Sequence, residues 1–387
     1  MGAESNDPLR IQYLPSLDGL TVVRQAPPPG AGSFSATYVG PAGWGFDEPG
    51  AEGTARLTCQ LVTIAAGPYD RVELARRLDR AGATLNRQCA PESSEITIWG
   101  PADEWERLLD LLGVVVQRPR FDPEDVRHAR RQMVERQLRE STQPAHRAER
   151  ELLRRIFPAD HPYHGTGLGT GRSLARLSRD RLARFHQDHY TKGSGLLVVT
   201  APAKGEAVRR AARRAFRDLA RTEPRKLRIR APRPATGGRR LIDLPGRSQV
   251  EVRLGGPSIP RVDPRFPAAF LANEVLGGRP LLSRLFQRVR EHGGLAYHAS
   301  SDLEAMRYGG YWVAQAGTGA DRWKKVVPMI EAELRRVRES SVPPRELDLV
   351  RESAIGEIPL SLETTAEAHE LAVDAAYHGL PEDHWRS

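Results

Sequence analysis

Two stretches of this sequence repeat one another at one spacing, and that duplication constrains the fold more than any single residue does. Residues 121–126 (FDPEDV) can be laid over 342–347 (VPPREL), and residues 141–149 (STQPAHRAE) over 361–370 (SLETTAEAHE). Pro123 and Pro144 are 21 residues apart, and so are Pro344 and Thr365. Asp122-Pro123 reads as a helix start, because proline fits the first helical position, where its missing N–H costs nothing. Two matching pairs of helix starts at one interval imply a repeated unit, and hence two domains of one α+β design.

The pattern along the chain fits that division. Residues 20–25 (LTVVRQ), 33–40 (SFSATYVG) and 194–200 (SGLLVVT) read as strands, as do 95–99 (EITIW) within a loosely alternating stretch from 85 to 100. Residues 53–66 are mixed. Helical spacing marks 71–80, 105–116, 123–139, the stretch after Pro144 to about 157, and 179–190. Residues 219–238 (LARTEPRKLRIRAPRPATGG) are rich in Pro and Arg and read as an interdomain linker. Beyond it come a strand at 249–254, a helix at 268–276, a strand at 311–317 and helices at 323–339 and from 343 onward. The expected domains are therefore 1–218 and 239–387. The first half ends in a helix and a strand (RDRLARFHQDHY, then GLLVVT), and the second half stops without their equivalents.

Composition narrows the function classes. The net charge is +9, and only five of the 58 basic residues are lysines. A positive balance could serve an acidic partner, but the basic residues alternate with Asp and Glu on helical stretches and read as solvated faces. Arg209, Arg210, Arg213, Arg214 and Arg217 recur at helical spacing without interleaved aromatics, so a nucleic-acid partner is not expected. No apolar run is long enough for a membrane helix. The first twenty residues show no basic stretch followed by an apolar one, and two cysteines, Cys59 and Cys89, cannot build a disulfide framework. A cytoplasmic location is the expectation, and a membrane span, a disulfide scaffold and a cysteine zinc finger are excluded.

The most specific motif lies in the second half: Asn273-Glu-Val-Leu-Gly277-Gly278, then Ser283-Arg-Leu-Phe286, then Arg290 followed seven residues later by Tyr297. Gly82-Ala-Thr-Leu-Asn86 before the strand ending at Trp99, His161-Pro-Tyr-His164 and Phe185-His-Gln-Asp-His-Tyr190 support it. This order resembles the pitrilysin/insulysin-like (inverzincin) zinc peptidases, in particular two-domain subunits of the mitochondrial-processing-peptidase type and their bacterial relatives. The resemblance covers nearly the whole chain. It implies two related α+β domains, each a mainly antiparallel sheet flanked by helices.

The family's H-x-x-E-H zinc motif is missing here. The corresponding stretch after Gly53 is Arg56-Leu-Thr-Cys59-Gln60. By the resemblance, Arg56 and Gln60 stand at the two zinc histidines and Cys59 at the general-base glutamate. Glu135 approximates the third ligand. Zinc hydrolysis needs three ligands around an open position plus a base, and a permanent cation at Arg56 opposes a metal ion. The resemblance therefore implies a non-catalytic subunit, with no cofactor of its own and zinc in a homologous H-x-x-E-H partner. It also implies that Arg290 and Tyr297 are substrate-contacting residues that complete the partner's site on a peptide. A Tyr O–H can donate to a developing oxyanion and an Arg fork to a carbonyl. The alternative is a purely structural, assembly or regulatory homologue. Retention of Arg290 and Tyr297 argues against that alternative, and the missing closing helix and strand argue for it.

Other motifs read as structural. Gly277-Gly278 is expected to make a tight turn. Residues 165–171 (GTGLGTG) have neither a preceding strand nor a Lys-Ser/Thr pair and read as a loop. His369-Glu-Leu-Ala-Val373 lacks the second histidine of H-E-x-x-H, and His186 and His189 read as a surface pair. Cys59 reads as a small core residue.

Overall fold

The computed structural model describes residues 7–223, 226–227, 229–232 and 238–386. Along the chain the elements are β1 Ile11–Leu17, β2 Leu20–Gln25, β3 Ser33–Gly40, α1 Thr54–Val62, α2 Arg71–Arg80, β4 Thr84–Cys89 and β5 Ser94–Pro101. Then follow α3 Trp105–Gln117, α4 Pro123–Thr142, α5 Pro144–Ile156, α6 Gly171–Ala175, α7 Arg179–His189, β6 Leu196–Thr200 and α8 Gly205–Ala215. The remainder comprises β7 Gln249–Ser258, α9 Phe266–Asn273, β8 Ala296–Met306, β9 Gly309–Gly319, α10 Trp323–Glu339, α11 Pro344–Leu360 and α12 Thr365–His378. Two antiparallel-type sheets flanked by helices make this an α+β protein.

The contacts divide the chain into two units. The first holds residues 1–137, 166–227 and 358–387, apart from those not described. Its sheet runs β1-β2-β6-β3-β5-β4, antiparallel except for the parallel pair β2–β6. Asp18 (φ 55) and Gly19 (φ 100) form the two-residue β1–β2 turn, and Asp-Gly is the pair that such a left-handed hairpin turn favours. Strand β6 lies in the middle and all five of its residues are buried. Alternate strand residues enter opposite layers, as the two-residue period of a strand requires. Val22, Phe34, Tyr38, Ile98 and Leu197 pack in a layer with residues of α1, α3, α7 and α8. Val23, Val39, Leu196 and Val198 pack against Ala372, Ala375 and Ala376 of α12.

A buried polar set pins α12 to this sheet. His369 is 2% exposed, with Nε2 2.8 Å from Thr37 Oγ1 and Nδ1 2.7 Å from Thr200 Oγ1. The same Thr200 hydroxyl donates to Gln25 Oε1 at 2.7 Å, and Gln25 Nε2 donates to the Ala368 carbonyl at 2.9 Å. With both ring nitrogens engaged, His369 fixes where the helix sits along the strands.

The second unit holds residues 138–165 and 228–357, apart from those not described. Its three-stranded antiparallel sheet runs β7-β9-β8. Val252, Ala299, Ala314 and Ala316 from the strands pack with Leu285, Val289 and, from α10, Val326 and Ile330. Helix α5 closes on β7: a Cβ on Gly255 would lie 3.0 Å from Leu152 and 2.4 Å from the Trp312 carbonyl, so glycine permits that close approach. Leu153, Ile156, Phe157 and Tyr163 form a further cluster in this unit.

Several sequence expectations are corrected here. Residues 138–165, assigned to a first domain of 1–218, group with the second unit. Residues 358–386, assigned to a second domain of 239–387, group with the first. The repeat located both helices in the sequence, but their apolar faces fit the sheet of the other half. Part of the expected linker 219–238 lies outside the described residues, and Leu219 is buried in the core of the first unit. The mixed stretch 53–66 contains α1. The helix expected at 268–276 is α9 followed by a π-helical turn, Glu274–Gly278.

Candidate functional site

Helix α1 carries Arg56, Cys59 and Gln60. It starts at Gly53, whose φ of 100° is the left-handed conformation that glycine adopts without strain. The Asp47 carboxylate caps the helix start, accepting from Gly53 N at 2.7 Å and from Ala55 N at 2.8 Å. Burial pushes the Asp47 carboxyl up to about 7, against the pull of those two hydrogen bonds.

Arg56 and Gln60 are four residues apart, so they share a helix face, and both are half-buried. Arg56 Nε donates to the Thr166 carbonyl at 2.7 Å, and its guanidinium lies 4.3 Å from the Trp44 ring centroid. Gln60 Nε2 donates to Gln132 Oε1 at 2.9 Å. Cys59 points the other way, is 2% exposed and donates weakly to the Gln88 carbonyl at 3.5 Å. Burial pushes its thiol up to about 11, so at neutral pH it is protonated and a poor nucleophile or ligand. Glu135 is exposed on α4.

This donor set does not fit zinc. It offers a guanidinium, an engaged amide and a neutral buried thiol, where zinc needs deprotonated thiolates, imidazoles or carboxylates. Among the described residues, no group of three or more His, Cys, Asp or Glu is placed to hold a metal ion.

In the second unit, Gly277 and Gly278 end the π-helical turn Glu274–Gly278. They do not form the tight turn the sequence suggested. Gly277 is there because the π turn lies against β8: an added Cβ would fall 2.3 Å from Ser301 N. At Gly278 it would fall 2.3 Å from Glu274 Oε1. The next residue, Arg279, is 7% exposed and paired with Glu274 Oε2 at 2.7 Å and with Glu357.

Arg290 lies in a second π-helical turn, Phe286–Glu291. It is exposed, and its guanidinium is 4.7 Å from the Phe286 ring centroid. Tyr297 follows at the start of β8. Ala296 pairs with Thr318 and His298 with Gly317, which leaves Tyr297 as the extra residue of a β-bulge. A bulge bends its strand and re-aims a side chain, and here the tyrosine is 67% exposed. A core position, the ordinary reading of a strand tyrosine, is thereby excluded. Helix α1 thus places Arg56, Cys59 and Gln60 together in the first unit, and Gly277, Gly278, Arg290 and Tyr297 are all in the second.

The remaining motifs are structural. His186 and His189 are buried, not superficial: His186 Nε2 is 2.8 Å from the Val116 carbonyl and His189 Nδ1 3.1 Å from the Pro41 carbonyl. Residues 165–170 lie outside helix and strand. Sequence reasoning missed Asp47, Trp44 and Arg279. No local pattern flags a cap carboxylate six residues before Gly53, whereas Arg279 directly after the Gly-Gly pair was open to notice.

Residues 176–354 match the model of the family described as Peptidase M16 inactive domain. The chain is 22% identical over 367 residues to an uncharacterized zinc protease of Rickettsia bellii, covering 94% of this chain and 86% of that one. It is 31% identical over 206 residues to an uncharacterized zinc protease of Streptomyces coelicolor, covering 51% of this chain and 44% of the other. In fold it is similar to a peptidase M16 inactive domain from Pseudomonas fluorescens, with a TM-score of 0.90 at 21% identity over 97% of this chain and 90% of that one. A protease from Helicobacter pylori superposes with a TM-score of 0.87 at 17% identity, over 96% and 90% of the two chains. The family match is confined to residues 176–354, over which the chain is similar to the Peptidase M16 inactive domain.

Proposed function

We propose that this chain is the non-catalytic, substrate-contacting subunit of a two-chain zinc peptidase of the processing-peptidase type. A homologous partner carrying H-x-x-E-H holds the zinc, and both chains work in the cytoplasm on a peptide, without a membrane or nucleic acid. In this reading α1 has given up its metal site, since Arg56 and Gln60 are engaged within the first unit and Cys59 is buried. Arg290 and Tyr297 remain to hold the peptide backbone and to donate to the oxyanion formed at the partner's zinc.

The observation that carries this reading is the bulge at Tyr297. The bulge turns the tyrosine out of the strand's regular pairing and leaves it 67% exposed, within reach of a bound chain. The test is hydrolysis of a mixed peptide library by this chain, by the H-x-x-E-H partner and by both together. Activity only in the mixture, lost in Arg290→Ala and Tyr297→Phe, is the expected result. Full activity from the partner alone would leave this chain a scaffold. One observation favours that second, structural reading: Arg290 rests on Phe286 of its own helical turn.

A further inference from the structure

The arginine run on α8 leads into a cleft of the first unit. Arg213, Arg217 and Arg221 follow one another at four-residue intervals from the last turn of α8 into the segment beyond it. They line a cleft of about 120 Å³ together with Lys192 and with Asp18 of the β1–β2 turn. Leu17 and Phe216, 5% and 1% exposed, also line it. Lys192 N donates to the Ala220 carbonyl at 2.6 Å, and Asp18 stands in the left-handed Asp18-Gly19 turn.

Charge in this cleft is out of balance. Four cations face one carboxylate, and Asp18 Oδ2 is shared by Lys192 at 3.4 Å and Arg221 at 2.8 Å. Lys192 Nζ also donates to the Arg217 carbonyl at 3.1 Å, which accounts for one cation at a helix end. Arg217 reaches Asp218 at 3.3 Å, but that carboxylate also pairs with Arg118. Arg213 forms no ion pair among the described residues. Cations beside apolar walls focus a positive potential, and guanidinium forks match tetrahedral oxyanions.

We propose that this cleft is a binding site for a phosphate-type oxyanion, with Arg213 and Arg217 as its principal donors. The occupant is either free phosphate or the terminal phosphate of a nucleotide; the recognition chemistry is the same. The full chain is titrated at constant ionic strength with inorganic phosphate and, separately, with ADP, by calorimetry and thermal melting. Phosphate is expected to bind and raise the melting temperature, with no such rise from sodium chloride. Arg213→Ala and Arg217→Ala should each weaken binding about tenfold, and Arg107→Ala, on the exposed side of α3, should leave it unchanged. Tighter binding of ADP than of phosphate would assign the nucleotide source; equal binding would assign the free anion. Absence of a phosphate response in the unmodified chain, or undiminished binding by both arginine variants, overturns the proposal. Variants that melt lower while phosphate does nothing would assign the arginines to the helix end alone, which also overturns it.

Discussion

Helix α1 in the first unit and the Arg290–Tyr297 stretch in the second hold their polar side chains in opposite ways. At α1, Arg56 and Gln60 spend their donors on the Thr166 carbonyl and Gln132, and Cys59 is sealed in the core. At the other locus Arg290 and Tyr297 are exposed, and the Tyr297 hydroxyl has no hydrogen bond among the described residues. Groups engaged inside a protein set its stability, and groups left in water can change without unfolding it. The first locus should therefore report through stability, and the second through activity.

The largest expected effect tests the second half of that contrast. In the presence of an H-x-x-E-H partner, Tyr297→Phe should lower peptide turnover by about 10²–10³-fold, the loss typical of one oxyanion donor. Its melting temperature should stay where it was, because a surface change is worth no more than about 0.5 kcal/mol. A fall of several degrees would break the contrast. Next, Cys59→Glu should cost about 3 kcal/mol in urea unfolding, because it puts a carboxyl in a site 2% exposed. Restoring the acid alone should not bring back zinc binding.

A subtler prediction concerns pH. Burial holds His369 at about 3 and His186 at about 4, below their unfolded values. The unfolded chain therefore takes up protons first, and stability falls as pH drops from about 6.5 towards 4. Asp47 and Glu95 have carboxyls pushed up to about 7, so the folded state holds their protons longer and stability rises over the same descent. In the first unit these four groups oppose one another. Asp47→Asn removes one opposing member, so stability should fall more steeply from pH 6.5 to 4.5, by up to about 1.4 kcal/mol per pH unit. Urea midpoints across that range measure it. Arg56→Ala should follow at about 1 kcal/mol, for the lost contacts with Trp44 and Thr166. Glu135→Ala, on an exposed helix face, should change stability by less than about 0.5 kcal/mol.

How much of this could be read in the residues depended on whether the signal was local. The proline-marked starts of α4, α5 and α11 and the apolar run of β6 are local, and they sit where the sequence placed them. The seven-residue interval from Arg290 to Tyr297 could be read, but the bulge that turns Tyr297 outward depends on pairing with β9. His186 and His189 were misread although a signal existed: with Leu182 and Phe185 they complete a buried stripe at helical spacing. The destination of α5 and α12 carried no local signal, because which sheet receives an apolar helix face is settled by complementarity with residues far away in sequence.

That exchange of helices has a consequence for how such a chain can be divided. A gene split in the Arg/Pro-rich segment near residue 230 would yield a front fragment without the α12 that covers its sheet and a back fragment without the α5 that lies on β7. Each piece would carry a helix meant for the other, with its apolar face unsheltered. The chain therefore behaves as one heritable unit: its halves are expected to be soluble only when made together, and limited cleavage in that segment should leave the two pieces associated.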